Sequence, residues 1–116
     1  MEQSRVLAAL SAMAHDKRLE IVRLLASHAP VGLHAGDIAA QTGLGASALS
    51  FHLTALTDAA LVKPSREGRH IRYRLCLGHV GAVFAYLLND CCGAAPEIRD
   101  RCLHHGCADQ SGIAKT

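Results

Sequence analysis

The strongest constraint on the fold is a pair of short amphipathic helices separated by only three residues. Residues 34–42 have apolar side chains at helical spacing, and Gly43 is expected to end that helix. Residues 46–60 carry a second helical pattern, a leucine stripe made by Leu49, Leu53 and Leu56. Two short helices joined by a tight turn that contains glycine are typical of a helix-turn-helix.

Two further helices are predicted before this motif. Apolar residues recur at helical spacing over residues 5–14, which predicts a first helix. A second helix is expected to begin with Asp16 as its N-cap and to end near Ala29 and Pro30.

The segment after the fourth helix is predicted to form a basic β-hairpin. Residues 61–63 and 70–75 are expected to be strands around a turn at residues 65–69, because apolar and basic residues alternate in the second strand. Residues 63–74 hold five Lys or Arg and one acid, a net charge of +4 in a chain whose total is +2. Such a local excess is typical of a phosphate-binding element. We therefore predict a winged helix, mainly α with a small β-hairpin.

This fold predicts which residues contact DNA. The expected contacts lie on the exposed side of the fourth helix or in the hairpin: Ser47, Ser50, His52, Thr54, Arg66, Arg69 and Arg72. Ser50 and His52 are expected to contact bases, whereas Ser47 either contacts DNA or caps the helix. The three arginines are expected to bind the phosphate backbone or the minor groove.

A fifth predicted helix, over residues 78–88, is apolar on nearly every side. A helix of that kind must be buried, and a 116-residue chain has little other mass to cover both of its faces. We therefore expect a homodimer built on this helix, with the first helix as its neighbour.

Composition limits the remaining function classes. Five cysteines are an odd number, so they cannot all pair within one chain. The first residues are polar, and the longest uncharged apolar segment, residues 75–89, is shorter than the roughly 20 residues of a membrane span. We expect a cytoplasmic protein with reduced thiols and no membrane partner. No arrangement of residues predicts an enzyme.

Three late cysteines predict a ligand site. Cys91 and Cys92 are adjacent, and on a continuing helix adjacent side chains point about 100° apart. Both sulfurs reach one ion only if the backbone leaves the helix, which Gly93 and Pro96 permit. With Cys102 as a third thiolate, the set suits trivalent arsenic or antimony, with no organic cofactor.

Other uses of these cysteines remain open. Cys107 either replaces Cys102, adds to it or has no role. The late cysteines with His104 and His105 would suit zinc or cadmium, and the vicinal pair would also suit a redox sensor. Cys76 is expected in the core. The predicted domains are residues 1–92, for DNA binding and dimerisation, and residues 93–116, a metalloid-binding extension with a flexible tail.

The sequence resembles the ArsR/SmtB family of metal- and metalloid-responsive repressors in three blocks. Residues 16–25, DKRLEIVRLL, resemble the second helix of that family. ALSFHL at residues 48–53, with Leu56 and ALV at residues 60–62, resembles its recognition helix. REGR at residues 66–69 with YRL at residues 73–75 resembles its wing.

The resemblance implies a dimer that leaves its operator when an inducer binds. Residues 34–37 hold no cysteine, unlike one arsenic-sensing arrangement, and the zinc-type ligand pairs of the fifth helix are absent. Cys91, Cys92 and Cys102 match an arrangement with a Cys-Cys pair after that helix and a third cysteine downstream.

Overall fold

The computed structural model describes residues 1–91 and Glu97, and its elements follow the order of a winged helix. The elements are α1 Gln3–Met13, α2 Asp16–Ser27, β1 Leu33–His34, α3 Ala35–Thr42, α4 Ala46–Asp58, β2 Val62–Glu67, β3 His70–Leu75 and α5 Leu77–Ala85, followed by a π-helical segment, Tyr86–Cys91. The predicted fold class, mainly α with a small antiparallel β component, is confirmed.

Two helix ends differ from the prediction, the start of α2 and the end of α4. Asp16 is the first helical residue and not the cap, because His15 precedes it and accepts the backbone N–H of Lys17 at 3.2 Å. Gly43 ends α3 as expected, in the left-handed region with φ 74°. Helix α4 ends at Asp58, and Ala60 then takes φ 63°, a conformation that its side chain does not predict.

The core is formed by aliphatic side chains from the first four helices and the start of the hairpin. Ile21 and Leu25 of α2, Ile38 of α3, Leu56 of α4 and Leu61 are fully buried. They lie at the positions that helical periodicity selects, so burial of this stripe fixes α4 against α2.

The sheet has one more strand than the predicted hairpin. Its order is β1-β3-β2, with both pairings antiparallel, and His34 of β1 lies opposite Arg72 of β3. Strand β1 contains only two residues, which is too few for an alternating pattern to be recognised. It attaches the segment before α3 to the hairpin.

Helix α5 keeps apolar side chains exposed in the single chain. Val83 is buried, but Leu77 is 51% exposed and Phe84 is 49% exposed. The predicted helix over residues 78–88 is α-helical only to Ala85. Across the part of the chain that the structure describes, no helix combines the length and apolar character needed to cross a membrane.

The chain divides into two structural units, residues 1–81 and residues 82–116. The first contains the helix-turn-helix and the complete sheet. The predicted boundary at residue 92 stays a prediction, because the extension after it lies outside the described residues, Glu97 excepted.

Gly32 permits the close approach of β1 to β3. Its φ is +80°, and a Cβ atom at this position would collide with the carbonyl oxygen of Tyr73. That oxygen belongs to the backbone of a paired strand and cannot move aside without displacing the sheet. A side chain here is therefore opposed both by the backbone conformation and by the lack of space.

We expect Gly32→Ala to lower the free energy of unfolding by more than about 2 kcal/mol, because a strained dihedral and a backbone collision add. Chemical denaturation followed by circular dichroism measures the change. The control is Gly36→Ala in α3, where a Cβ would meet nothing within 4 Å. The control should be neutral or stabilising by up to about 1 kcal/mol. Equal effects of the two changes would contradict this account of Gly32.

Candidate nucleic-acid interface

One face of α4 is exposed and polar. Ser47, Ser50 and Thr54 are exposed there, while the stripe that contains Leu49, Leu53 and Leu56 is buried. The N-cap of α4 is Gly45, and the helix has no side-chain cap. The alternative that Ser47 caps the helix is therefore wrong, and its hydroxyl remains on the exposed face.

The structure does not place His52 on that face. His52 is only 8% exposed, and its Nδ1 accepts a hydrogen bond from Nε of Arg18 at 3.1 Å. It occurs at the helical spacing of Leu49, Leu53 and Leu56, which is the physical reason for its burial. The expectation that His52 is exposed is therefore wrong, and its contact with bases stays a prediction that its burial does not favour.

The environment of His52 keeps its ring neutral. Burial lowers its pKa from 6.5, and the neighbouring His15 and Arg18 lower it further. The ring of His15 lies 4.6 Å from that of His52. Because Arg18 can only donate, Nδ1 of His52 must be the unprotonated nitrogen. His52 is thus an acceptor that holds a side chain of α2.

Phe51 and Arg18 also belong to this surface, although no sequence pattern predicts a role for them. Phe51 is 65% exposed on α4, between the exposed Ser50 and the buried His52. The guanidinium carbon of Arg18 lies 5.4 Å from the centre of the Phe51 ring, within the range of a cation–π interaction. An aromatic side chain that interrupts the polar face of a predicted recognition helix is the sequence signal that could have identified the pair.

Helix α2 also contacts the end of α3. Nζ of Lys17 donates to the carbonyl oxygen of Thr42, the last residue of α3, at 3.3 Å. The same amino group lies 3.3 Å from Oε1 of Glu20. The first turn of α2 therefore contacts both helices of the helix-turn-helix, through Lys17 and Arg18.

The tip of the hairpin presents two arginines to solvent. Arg66 and Arg69 are exposed on either side of the turn, where Gly68 has φ 64°. Neither has an ion pair with the described side chains, which are those of residues 1–88 and Glu97. Both are where the sequence predicts phosphate contacts, and that role stays a prediction.

Arg72 differs from them, since its guanidinium is occupied within the sheet. Its Nε donates to Oε2 of Glu67 at 2.9 Å, and Nη1 donates to the carbonyl oxygen of Gly32 at 3.3 Å. Its Nη2 lies 3.2 Å from Nε2 of His34, and the side chain is 21% exposed. The structure therefore favours a structural role for Arg72 over the predicted DNA contact.

Glu67 is the centre of this polar cluster. Its Oε1 lies 2.8 Å from Nε2 of His34, and Arg74 approaches its Oε2 at 3.7 Å. The hydrogen bond from Arg72, followed by that from His34, lowers the pKa of Glu67 from 4.5 to about 2. The carboxylate therefore remains charged through most of the acid range and connects β1 to the end of β2.

The predicted cysteine ligands fall mostly outside the described residues. Cys92, Cys102 and Cys107 lie there, and of Cys91 only the backbone is described, as the last residue of the π-helical segment. Cys76 is a free, half-buried thiol and not a fully buried core residue. Among the residues that the structure describes, no group of three or more His, Cys, Asp and Glu could hold a metal ion.

Comparison with known proteins identifies similar helix-turn-helix regulators. A helix-turn-helix domain family model matches residues 13–64. The HTH-type transcriptional regulator YgaV of Escherichia coli (strain K12) is 41% identical over 85 residues, which are 73% of this chain and 84% of that regulator. The expectation that the chain is not an enzyme is confirmed, since these relatives are transcriptional regulators.

Two solved structures extend the comparison. The homodimeric winged helix-turn-helix DNA-binding domain of a possible ArsR-family transcriptional regulator from Mycobacterium bovis is 28% identical, with a TM-score of 0.63, over 91% of this chain and 88% of that domain. A possible transcriptional regulator for arsenical resistance is 34% identical, with a TM-score of 0.57, over 71% of this chain and 85% of that protein.

The cluster around Glu67 generates a prediction about pH. A carboxyl whose pKa falls on folding stabilises the folded state above its unfolded pKa and loses that contribution as pH falls through its folded pKa. Glu67→Gln should therefore be destabilising above about pH 5, and its difference from wild type should shrink as pH falls from 4.5 toward about 2. Urea midpoints measured through this range test the expectation.

The matched background is Arg72→Gln, which removes the largest cause of the pKa shift. There, Glu67→Gln should have a smaller effect at neutral pH, because the hydrogen bond that it deletes is already lost. A difference between wild type and Glu67→Gln that is constant with pH would argue against the cluster.

Proposed function

Because the chain belongs to the ArsR family of DNA-binding winged-helix transcriptional regulators, we propose that it is a homodimeric repressor whose operator is released when trivalent arsenic or antimony binds. The proposal has three parts, which are operator binding, dimerisation and induction. Each part is supported by different residues and is tested separately.

Operator binding is supported by one observation above the others. The exposed face of α4, with Ser47, Ser50 and Thr54, occurs in the same structural unit as the exposed arginines Arg66 and Arg69 of the hairpin tip. Hydroxyl groups bind base edges and phosphates, and arginines bind phosphates. We therefore assign base contacts to α4, with Ser50 as the principal candidate, and backbone contacts to Arg66 and Arg69.

Dimerisation is supported by apolar surface that the single chain leaves exposed. Leu77 and Phe84 of α5 are about half exposed, and Leu7 of α1 is 55% exposed. The similar domain from Mycobacterium bovis is homodimeric. A two-fold dimer would present two α4 helices to successive major grooves, about 34 Å apart along the DNA.

Induction is proposed on the cysteine pattern. Cys91, Cys92 and Cys102 would bind the inducer as thiolates, with Cys107 as a further candidate, and the reduced state that this requires fits the cytoplasm. The change from α-helix to π-helix at Tyr86 supports the proposal, because the backbone leaves regular α geometry before the first of these cysteines. The relative described as a possible regulator for arsenical resistance supports the choice of ligand.

Inducer binding can act on DNA through the dimer helix. Tying the segment after Leu88 to Cys102 would alter the end of α5, on which we propose the dimer is built. A small tilt there would change the separation of the two α4 helices, so DNA and inducer would favour different states. Couplings of this kind are typically about 1–3 kcal/mol, which corresponds to roughly 5–150-fold weaker DNA binding.

The DNA interface predicts different results for arginines of the same hairpin. Arg69→Gln should weaken binding to all duplexes alike and flatten the dependence of log K on log salt by about one unit. Arg72→Gln is the control and should leave the slope unchanged, because its guanidinium is bound by Glu67 and Gly32. Fluorescence anisotropy at several salt concentrations distinguishes them. A slope that changes only for Arg72→Gln would reverse the assignment.

Induction predicts different results for two cysteines. Cys92→Ser should bind DNA as wild type does but fail to release it with arsenite, whereas Cys76→Ser should respond normally. If arsenite still releases DNA from Cys102→Ser but not from Cys107→Ser, the third ligand is Cys107 and not Cys102. Release should also weaken as pH falls, because bound thiols must lose protons.

Parallel titrations test the inducer class. Arsenite, antimonite, zinc, cadmium and a thiol oxidant are added to the same protein–DNA complex. Release by zinc or cadmium alone would establish a metal-responsive regulator, and release by the oxidant alone a redox-responsive one. Either result would overturn the arsenic proposal and leave the DNA-binding part intact.

A further inference from the structure

The guanidinium of Arg18 is fixed by two neighbours on α4. Its Nε donates to Nδ1 of His52 at 3.1 Å, and its central carbon lies 5.4 Å from the centre of the Phe51 ring. The first contact sets the direction of the guanidinium, and the second supports its position against the exposed ring. Most surface arginines rotate freely, whereas these two contacts restrain the side chain of Arg18.

Arg18 keeps most of its hydrogen-bonding capacity. A guanidinium has five N–H donors, and the bond to His52 uses one. Among the side chains that the structure describes, those of residues 1–88 and Glu97, neither Nη atom has a hydrogen-bond partner and Arg18 has no acidic partner. The residue is half-buried, so it is not simply a solvated surface charge. Four N–H groups in a fixed plane therefore remain for an anion.

The acids of α2 do not face Arg18. Asp16 and Glu20 lie two residues before and two residues after Arg18. Two residues correspond to a rotation of about 200°, so these carboxylates point to the nearly opposite side of the helix. Both line a shallow groove together with Leu19, Arg23 and Gln41 of α3, on another side of α2. Glu20 is also paired with Lys17. The positive end of the α2 dipole adds to the charge of Arg18.

We infer that Arg18 binds a phosphate of the DNA backbone beside the groove that α4 enters, with His52 and Phe51 as the residues that position it. The inference rests on the proposed operator binding and adds a third backbone contact, from α2, to those of the hairpin.

The geometry explains why this arginine suits a phosphate. Arg18 contacts Phe51, which is exposed on α4 beside Ser50, so it lies at the edge of the proposed base-contacting face. The edges of a major groove are lined by phosphates. Because the plane of the guanidinium is already fixed, less side-chain entropy is lost on binding than for a free arginine. A neutral His52 is essential, since a protonated ring could not accept the Nε–H.

The first experiment measures binding to a duplex that the wild-type protein selects from a random-sequence pool and to an unrelated duplex of equal length. Arg18→Gln should weaken both by the same factor, roughly 10-fold, and lower the salt slope by about one unit. Arg18→Lys should preserve the slope but not the full affinity, because an ammonium cannot contact His52 and also present a planar fork. Arg23→Gln, an exposed arginine of the same helix, is the control and should change neither quantity.

The second experiment tests the role of His52. His52→Asn places an amide oxygen near the position of Nδ1 and should retain most of the affinity, whereas His52→Leu fills the buried site but removes the acceptor. In the His52→Leu background, Arg18→Gln should cost less than in wild type. A His52 that only supports folding would not give this coupling or the rescue by Asn. Thermal unfolding confirms that each variant is folded.

The outcomes separate this inference from the proposed function. If Arg69→Gln flattens the slope and Arg18→Gln leaves slope and affinity unchanged, the inference is wrong and operator binding stands. If Arg18→Gln changes only the selected duplex, the residue reads bases and the phosphate assignment is wrong. If wild type shows no salt-dependent binding to either duplex, the proposed function fails, and the inference fails with it.

Discussion

The packing of α4 against α2 is the constraint on which the proposed DNA interface depends. The buried leucines supply the driving force and hold α4 against α2. Polar contacts from the first turn of α2 add to this packing, since Lys17 binds the end of α3 and Arg18 binds His52 on α4. One turn of helix thereby fixes both halves of the helix-turn-helix, and the exposed serines of α4 acquire a defined position.

Polar contacts also join separate elements in the sheet, where they are centred on a carboxylate. Glu67 binds Arg72 and His34, so a short ion-pair network joins β1, β3 and the end of β2. In both places a basic residue makes a structural contact that the sequence does not predict, Arg18 with His52 and Arg72 with Glu67. Arg66 and Arg69, at the tip of the hairpin, are instead exposed to solvent.

Helical periodicity and glycine placement were enough to predict four helices, the hairpin and the end of α3 at Gly43. Strand β1 was missed because its pairing with β3 depends on Gly32, a long-range contact with no local pattern. His52 was misassigned because polarity was weighed above position, although its spacing from Leu49 and Leu56 places it on the buried face. Its partner, Arg18, is 34 residues away, and no local rule pairs them.

The formal charge of the hairpin therefore exceeds the positive charge that is available for contacts with DNA phosphates. Of the five basic residues between Lys63 and Arg74, two are ion-paired with Glu67, so Arg72 and Arg74 are partly neutralised before any phosphate approaches. The salt dependence should accordingly reflect Arg66 and Arg69 from the hairpin, not its full formal charge. When the hairpin supplies few cations, each additional phosphate contact makes up a larger share of the affinity for DNA. A fixed arginine on α2 therefore matters more here than it would beside a hairpin whose basic residues were all unpaired.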